Sequence, residues 1–105
     1  MSGLIGKAAL AASTYTAVAT VATEKTLNIR VVNRDPINTA AMRLAICPSA
    51  YTAPTAPANA DYIRPVDFIL SAGEVIEETG MAVSTGEVVV AYASAAIVTV
   101  RVHGH

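Results

Sequence analysis

Apolar and polar residues alternate with a period of two in several separate stretches of this chain, and that rhythm decides its fold class. Leu27, Ile29 and Val31 fall on one side of an extended chain, and Thr26, Asn28 and Arg30 on the other. Met42, Leu44 and Ile46 alternate with Ala41, Arg43 and Ala45, and Val66, Phe68 and Leu70 repeat the pattern around Asp67. Val88, Val90 and Tyr92 form one stripe and Val89, Ala91 and Ala93 the opposite one, while Val98, Val100 and Val102 oppose Thr99, Arg101 and His103. Successive side chains of a strand point to opposite faces, so each stretch reads as a strand with one face on a core. The β-branched residues that fill these stripes are stiff at χ1 and suit a pleated surface.

Turn signals fall between the stripes. Asn33-Arg34-Asp35-Pro36 is one, because Asn and Asp bond their own backbone and Pro cannot donate to a ladder. Ala72-Gly73 and Thr85-Gly86 place glycines where a positive φ is expected, and Gly80 interrupts a strand-like run at an expected bulge. Short strand, turn, short strand is the rhythm of an all-β protein, here a small antiparallel β-sandwich, jelly-roll or immunoglobulin-like, of about seven to eight strands. The expected core is Leu27, Ile29, Val31, Met42, Leu44, Ile46, Val66, Phe68, Val88, Val90, Val98 and Val100. Residues 13–105 read as one sandwich domain, with a strand over Tyr15–Val21, and residues 1–12 as an N-terminal arm or a first strand. Pro48 to Asp61, PSAYTAPTAPANAD, is an extended Pro/Ala loop, read either as a passive crossover between the two sheets or as a contact loop carrying Tyr51.

Composition bears on partners. Charged residues make up only 14% of the chain and the formal net charge is −1, which argues against nucleic acid and against a polybasic membrane anchor. No run reaches the ~20 apolar residues of a membrane span, and MSGLIGKAALAA lacks the charged start of a signal peptide, so no targeting segment is expected. Cys47 is the single cysteine and reads as a small core hydrophobe. Five arginines outnumber two lysines, a bias that suits interface ion pairs, since the planar guanidinium is preorganised and weakly hydrated.

Motifs that carry chemistry are missing from the sequence. Neither G-x-G-x-x-G nor G-x-x-x-x-G-K-[ST] occurs, nor C-x-x-C, H-E-x-x-H or G-x-S-x-G. A catalytic triad would have to draw on His103 or His105 at the chain's end, expected to be frayed, where rigid placement of a base is not expected. Two histidines two residues apart share a face, yet fall short of the four ligands of a structural zinc site, and they read as a solvated tail continuing the last strand. Glu77 and Glu78 are adjacent, so on a strand they face opposite ways and share no pocket. No enzyme, cofactor or metal is expected.

Several segments together resemble a known group. They are Gly6-Lys7-Ala8, Thr14-Tyr15-Thr16, Leu27-Asn28-Ile29-Arg30-Val31-Val32-Asn33-Arg34, Asp61-Tyr62-Ile63, Glu78-Thr79-Gly80, Val88-Val89-Val90-Ala91-Tyr92-Ala93-Ser94 and Val100-Arg101-Val102-His103-Gly104. In this order they resemble the small β-sandwich virion structural proteins of tailed bacteriophages. The chain departs from that pattern in its longer Pro/Ala segment. The resemblance implies a non-enzymatic virion protein assembled in the host cytoplasm, a capsid decoration or cement protein bound to the major capsid protein or other virion subunits and repeated as a homo-oligomer within the particle. Tail, neck, baseplate or fibre components are alternatives, as is a carbohydrate- or receptor-binding sandwich, for which aromatic platforms are scarce. The interface residues expected are Leu4, Ile5, Lys7 and Leu10 on the arm, with Tyr51 and Arg64, the arm docking into a neighbouring subunit.

Overall fold

The structure, a computed structural model, describes residues 3–105. Met1 and Ser2, the start of the expected arm, lie outside the described residues. Eight strands follow in order: β1 (Gly3–Ala9), β2 (Thr16–Thr20), β3 (Lys25–Asn33), β4 (Ala40–Cys47), β5 (Phe68–Leu70), β6 (Val75–Val83), β7 (Val88–Ala93) and β8 (Val98–Gly104). Strand accounts for 54% of residues, well above the ~20–25% of an ordinary domain, and the only helical element described is a 3₁₀ turn over Asn59–Asp61. Among the described residues no helix is long and apolar enough to cross a membrane.

The strands form two four-stranded antiparallel sheets, β1-β8-β3-β6 and β2-β7-β4-β5, packed face to face. Four of the pairings are nested: β1 with β8, β2 with β7, β3 with β6 and β4 with β5. Nested pairs of this kind arise when one long antiparallel ribbon, turned at the β4–β5 connection, is rolled up on itself. Pairing of β3 with β8 and of β4 with β7 then completes each sheet. The result is the eight-stranded jelly roll, which resolves the fold expectation in that direction and away from the immunoglobulin-like one.

The core follows the alternation. Leu27, Ile29, Val31, Val98, Val100 and Val102 face inward from the first sheet, against Met42, Leu44 and Leu70 from the second. Five expected members behave differently. Val66 lies in the loop before β5 and is 51% exposed, because the strand begins only at Phe68. Ile46 and Phe68 are half-buried against the core. Val88 and Val90 are buried, but on the outer side of β7, while Val89, Ala91 and Ala93 fill the core. Tyr51 of the Pro48–Asp61 loop, together with Tyr15 and Tyr62, causes this double burial. The loop joins β4 to β5 of the same sheet, so it is not a crossover between sheets.

Residues 3–9 form an ordered edge strand. Leu10 is 2% exposed within the chain's own core and Ile5 packs against it, so neither is free to dock into a neighbour as an arm would require. The C-terminus is equally well tied. Thr26 N–H donates to His105 C=O at 2.9 Å and His105 N–H to Thr26 C=O at 3.0 Å, which corrects the expectation of a frayed end.

Candidate functional site

The outer face of the second sheet gathers all four tyrosines of the chain. Cross-strand register does this. Arg43 on β4 stands opposite Tyr92 on β7, Ala45 opposite Val90, and Tyr62 joins Ala45 by an isolated bridge that extends the edge beyond β5. Tyr15, just before β2, packs its ring on Tyr92 with centroids 4.9 Å apart. Tyr51, Tyr62 and Tyr15 rest on a small apolar floor of Ala45, Cys47, Val88 and Val90. Tyr51 is held by its hydroxyl, which donates to the Thr55 carbonyl at 2.6 Å.

Arg43 is the hub. Its guanidinium lies over the Tyr92 ring, 4.5 Å from the centroid, a favourable cation–π placement. Nε and Nη2 donate to the two Asp67 oxygens at 2.8 and 3.2 Å, a bidentate fork. Nη1 donates to the Tyr15 hydroxyl at 2.6 Å, and that hydroxyl shares a hydrogen bond with the Tyr62 hydroxyl 3.2 Å away. These contacts join β2, β4, β7 and the loop before β5. Asp67 holds its place with a positive φ of 60°.

The electrostatics follow the contacts. Its hydrogen bonds to Arg43 hold the Asp67 carboxyl below its ordinary range, and those to Asp67 and then Tyr15 raise Arg43. Burial, followed by the hydrogen bond that its hydroxyl shares with that of Tyr15, pushes the Tyr62 phenol up to about 12. Burial likewise raises Tyr51 and the Cys47 thiol. At neutral pH these groups keep their protons, and the cluster holds fixed charges already paired with one another.

A second ion pair closes the far edge. Arg64 Nε donates to Glu78 Oε1 at 2.6 Å, joining the loop before β5 to β6 of the opposite sheet, and its guanidinium caps the Phe68 ring at 4.9 Å. Glu77 points the other way and meets Arg30 at 3.3 Å, so the two adjacent glutamates do face opposite sides. Among the described residues no three His, Cys, Asp or Glu side chains converge as metal ligands would.

The expected interface residues therefore scatter. Leu4, 45% exposed, and Lys7 lie on the outer face of the first sheet, Ile5 and Leu10 turn inward, and Tyr51 and Arg64 are half-buried in the loop that covers the second sheet. The Tyr15–Arg43–Asp67–Tyr62–Tyr92 group was not among them. Its one signal in sequence is that Arg43 breaks an otherwise apolar strand. Compared with known protein families, with curated proteins and with solved structures, the chain matches none.

Proposed function

We propose that this chain is a non-enzymatic structural protein of a bacteriophage virion, a capsid decoration or cement protein that binds and stabilises the major capsid protein lattice. The observation that carries the reading is the nested strand pairing, since the eight-stranded jelly roll is an architecture of viral capsid and lectin domains. Folds host many functions, so the surface matters as well. Leu4, Ile37, Val66, Ile69 and Val75 are large apolar side chains left exposed on an otherwise well-tied sandwich, as a chain that meets other protein would leave them. Weak contacts repeated over a lattice become strong by multivalency. The test is to add purified chain to particles that lack it. Co-sedimentation with the particles and a higher temperature of particle disruption are expected; a chain that stays in the supernatant contradicts the reading.

A second reading, a carbohydrate- or receptor-binding module, is favoured by the gathering of four tyrosines around Arg43 on one face. It predicts a glycan whose binding quenches tyrosine fluorescence and is lost in Tyr92→Ala. Tail, neck and baseplate positions differ from the capsid only in where on the particle the chain is found.

A further inference from the structure

The outer face of the first sheet carries a row of like charges that the chain answers at one end only. Lys7 on β1 stands directly opposite Arg101 on β8, and Arg101 directly opposite Arg30 on β3. Three of the chain's seven basic residues thus share one line across three neighbouring strands. Like charges set directly opposite each other in a sheet are destabilising. Glu77 on β6 ends the row and reaches only Arg30, at 3.3 Å with both side chains half exposed. Among the described residues no carboxylate pairs with Lys7 or Arg101, and Arg101 Nε donates only to His103 Nε2, at 3.4 Å. Beside the row runs a groove of about 350 Å³, with Arg30, His103, Asn28 and Glu77 in its walls.

We infer that this row is a docking surface for an acidic segment of a partner protein, gripped through its carboxylates. Residues placed against the stability of the fold mark functional surfaces. Arginine forks match carboxylates in a bidentate way. Strands lie ~4.8 Å apart, so the row from Lys7 to Arg30 spans about 10 Å, and an extended peptide sets carboxylates two residues apart at about 7 Å. Ala9, Thr99, Val32 and Val75 flank the row on one side, and Leu4, His103 and Asn28 on the other, a mixture of apolar and polar groups typical of protein interfaces. Nucleic acid fits less well. The tyrosines all lie on the other sheet and Phe68 packs against the core, so this face offers no tyrosine or phenylalanine platform for successive bases, only the His103 imidazole.

The inference rests on the proposed function only for which partner supplies the acidic segment. Binding itself is tested on the isolated full chain, isotope-labelled for amide NMR. It is titrated with the blocked peptide Glu-Val-Glu-Val-Glu, its Gln-Val-Gln-Val-Gln counterpart, an oligothymidylate and inorganic phosphate. The expected result is saturable shifts confined to β1, β8 and β3 with the glutamate peptide alone. The Lys7→Gln/Arg101→Gln double variant should lose at least tenfold in affinity while melting at the same or a higher temperature, since repulsion is relieved. Three results would overturn the inference: no shifts at millimolar peptide, equal shifts with oligothymidylate or phosphate, or undiminished affinity in the double variant. Failure here leaves the particle co-sedimentation result standing, and failure there leaves this one standing.

Discussion

A Cβ added to Gly6 would collide with the carbonyl oxygen of Val18 and with the Ala19 side chain. Gly6 sits on the inward side of β1, opposite Val102, where the edges of the two sheets close on each other. Only a hydrogen fits there. Gly6→Ala is therefore expected to destabilise the domain by at least ~2 kcal/mol, since backbone must move to admit the methyl group. Urea unfolding measures this. Removing residues 1–6 deletes half of the same strand and should lower the melting temperature as well, in contrast to what a free arm would do.

Asn33 is the buried polar side chain of the described core, 1% exposed, and it is fully used. Its Nδ2 donates to the carbonyls of Asn38, Leu70 and Ser71 at 2.9, 3.3 and 3.1 Å, and its Oδ1 accepts from Asp35 N–H at 3.0 Å. It pins the β3–β4 turn to the end of β5. Asn33→Ala should cost about 2–4 kcal/mol, because several backbone groups lose a buried partner together. Asn33→Asp, which sets a carboxylate against carbonyls, should cost more than the alanine variant in the same denaturant series.

Alkaline stability should follow Tyr62. An unfolded phenol ionises near pH ~10, whereas Tyr62 in the fold is pushed up to about 12. Between those values the unfolded chain binds fewer protons than the native one, so stability is fully present below pH ~10 and falls as pH rises through the folded value. Tyr51 adds to the fall with the same sign. Urea midpoints taken from pH 9 upward should decline, and Tyr62→Phe should flatten the decline.

The acid limb carries the opposite sign. The Asp67 carboxyl is held below its ordinary value of 3.8, chiefly by its hydrogen bonds from Arg43. Its contribution is present above that value and is lost as pH falls through the lower, folded one. Asp67→Asn should weaken this dependence. It should also speed hydrogen exchange across the loop between β4 and β5 while leaving the β3 and β8 amides protected.

Phe68 and Leu70 separate what is half-buried from what is buried. Leu70 is wholly inaccessible, so Leu70→Ala should cost ~2–5 kcal/mol through lost transfer energy and a cavity. Phe68 shows part of its ring to solvent under the Arg64 guanidinium, and Phe68→Ala should cost less than a core phenylalanine does, roughly 1–3 kcal/mol. Comparable losses for the two variants would place Phe68 deeper than the structure does.

Much of the fold is legible in the alternation, where one face of a strand is dry and the other wet. Leu27 to Val31 and Val98 to Val102 meet that condition, and the turns at Asn33-Arg34-Asp35-Pro36, Gly73 and Gly86 fall where expected, the last two with φ of 70° and 90°. Gly80, with φ of 72°, marks the irregular register between β3 and β6. Val88 to Ala93 defeats the reasoning because a loop covers the outer face, so both stripes are apolar and neither announces the core. Val66 continues a period that its own backbone abandons at Asp67. The tyrosine cluster is illegible for a different reason. Tyr15, Arg43, Tyr62 and Tyr92 are far apart in sequence, and the pairings of β2 and β4 with β7 and of Ala45 with Tyr62 bring them together. The row Lys7–Arg101–Arg30 likewise depends on register, which single strands do not disclose.

The proposal that this jelly roll is a repeated structural subunit of a virion is tested by a cryo-EM map of purified particles. Quantitative mass spectrometry of the same particles supplies the copy number of the chain relative to the major capsid protein. Density fitting the eight-stranded sandwich is expected at symmetry-related positions on the capsid surface, at a fixed ratio to the capsid subunit. A chain missing from purified particles, or recovered only in traces without a fixed ratio, would contradict it.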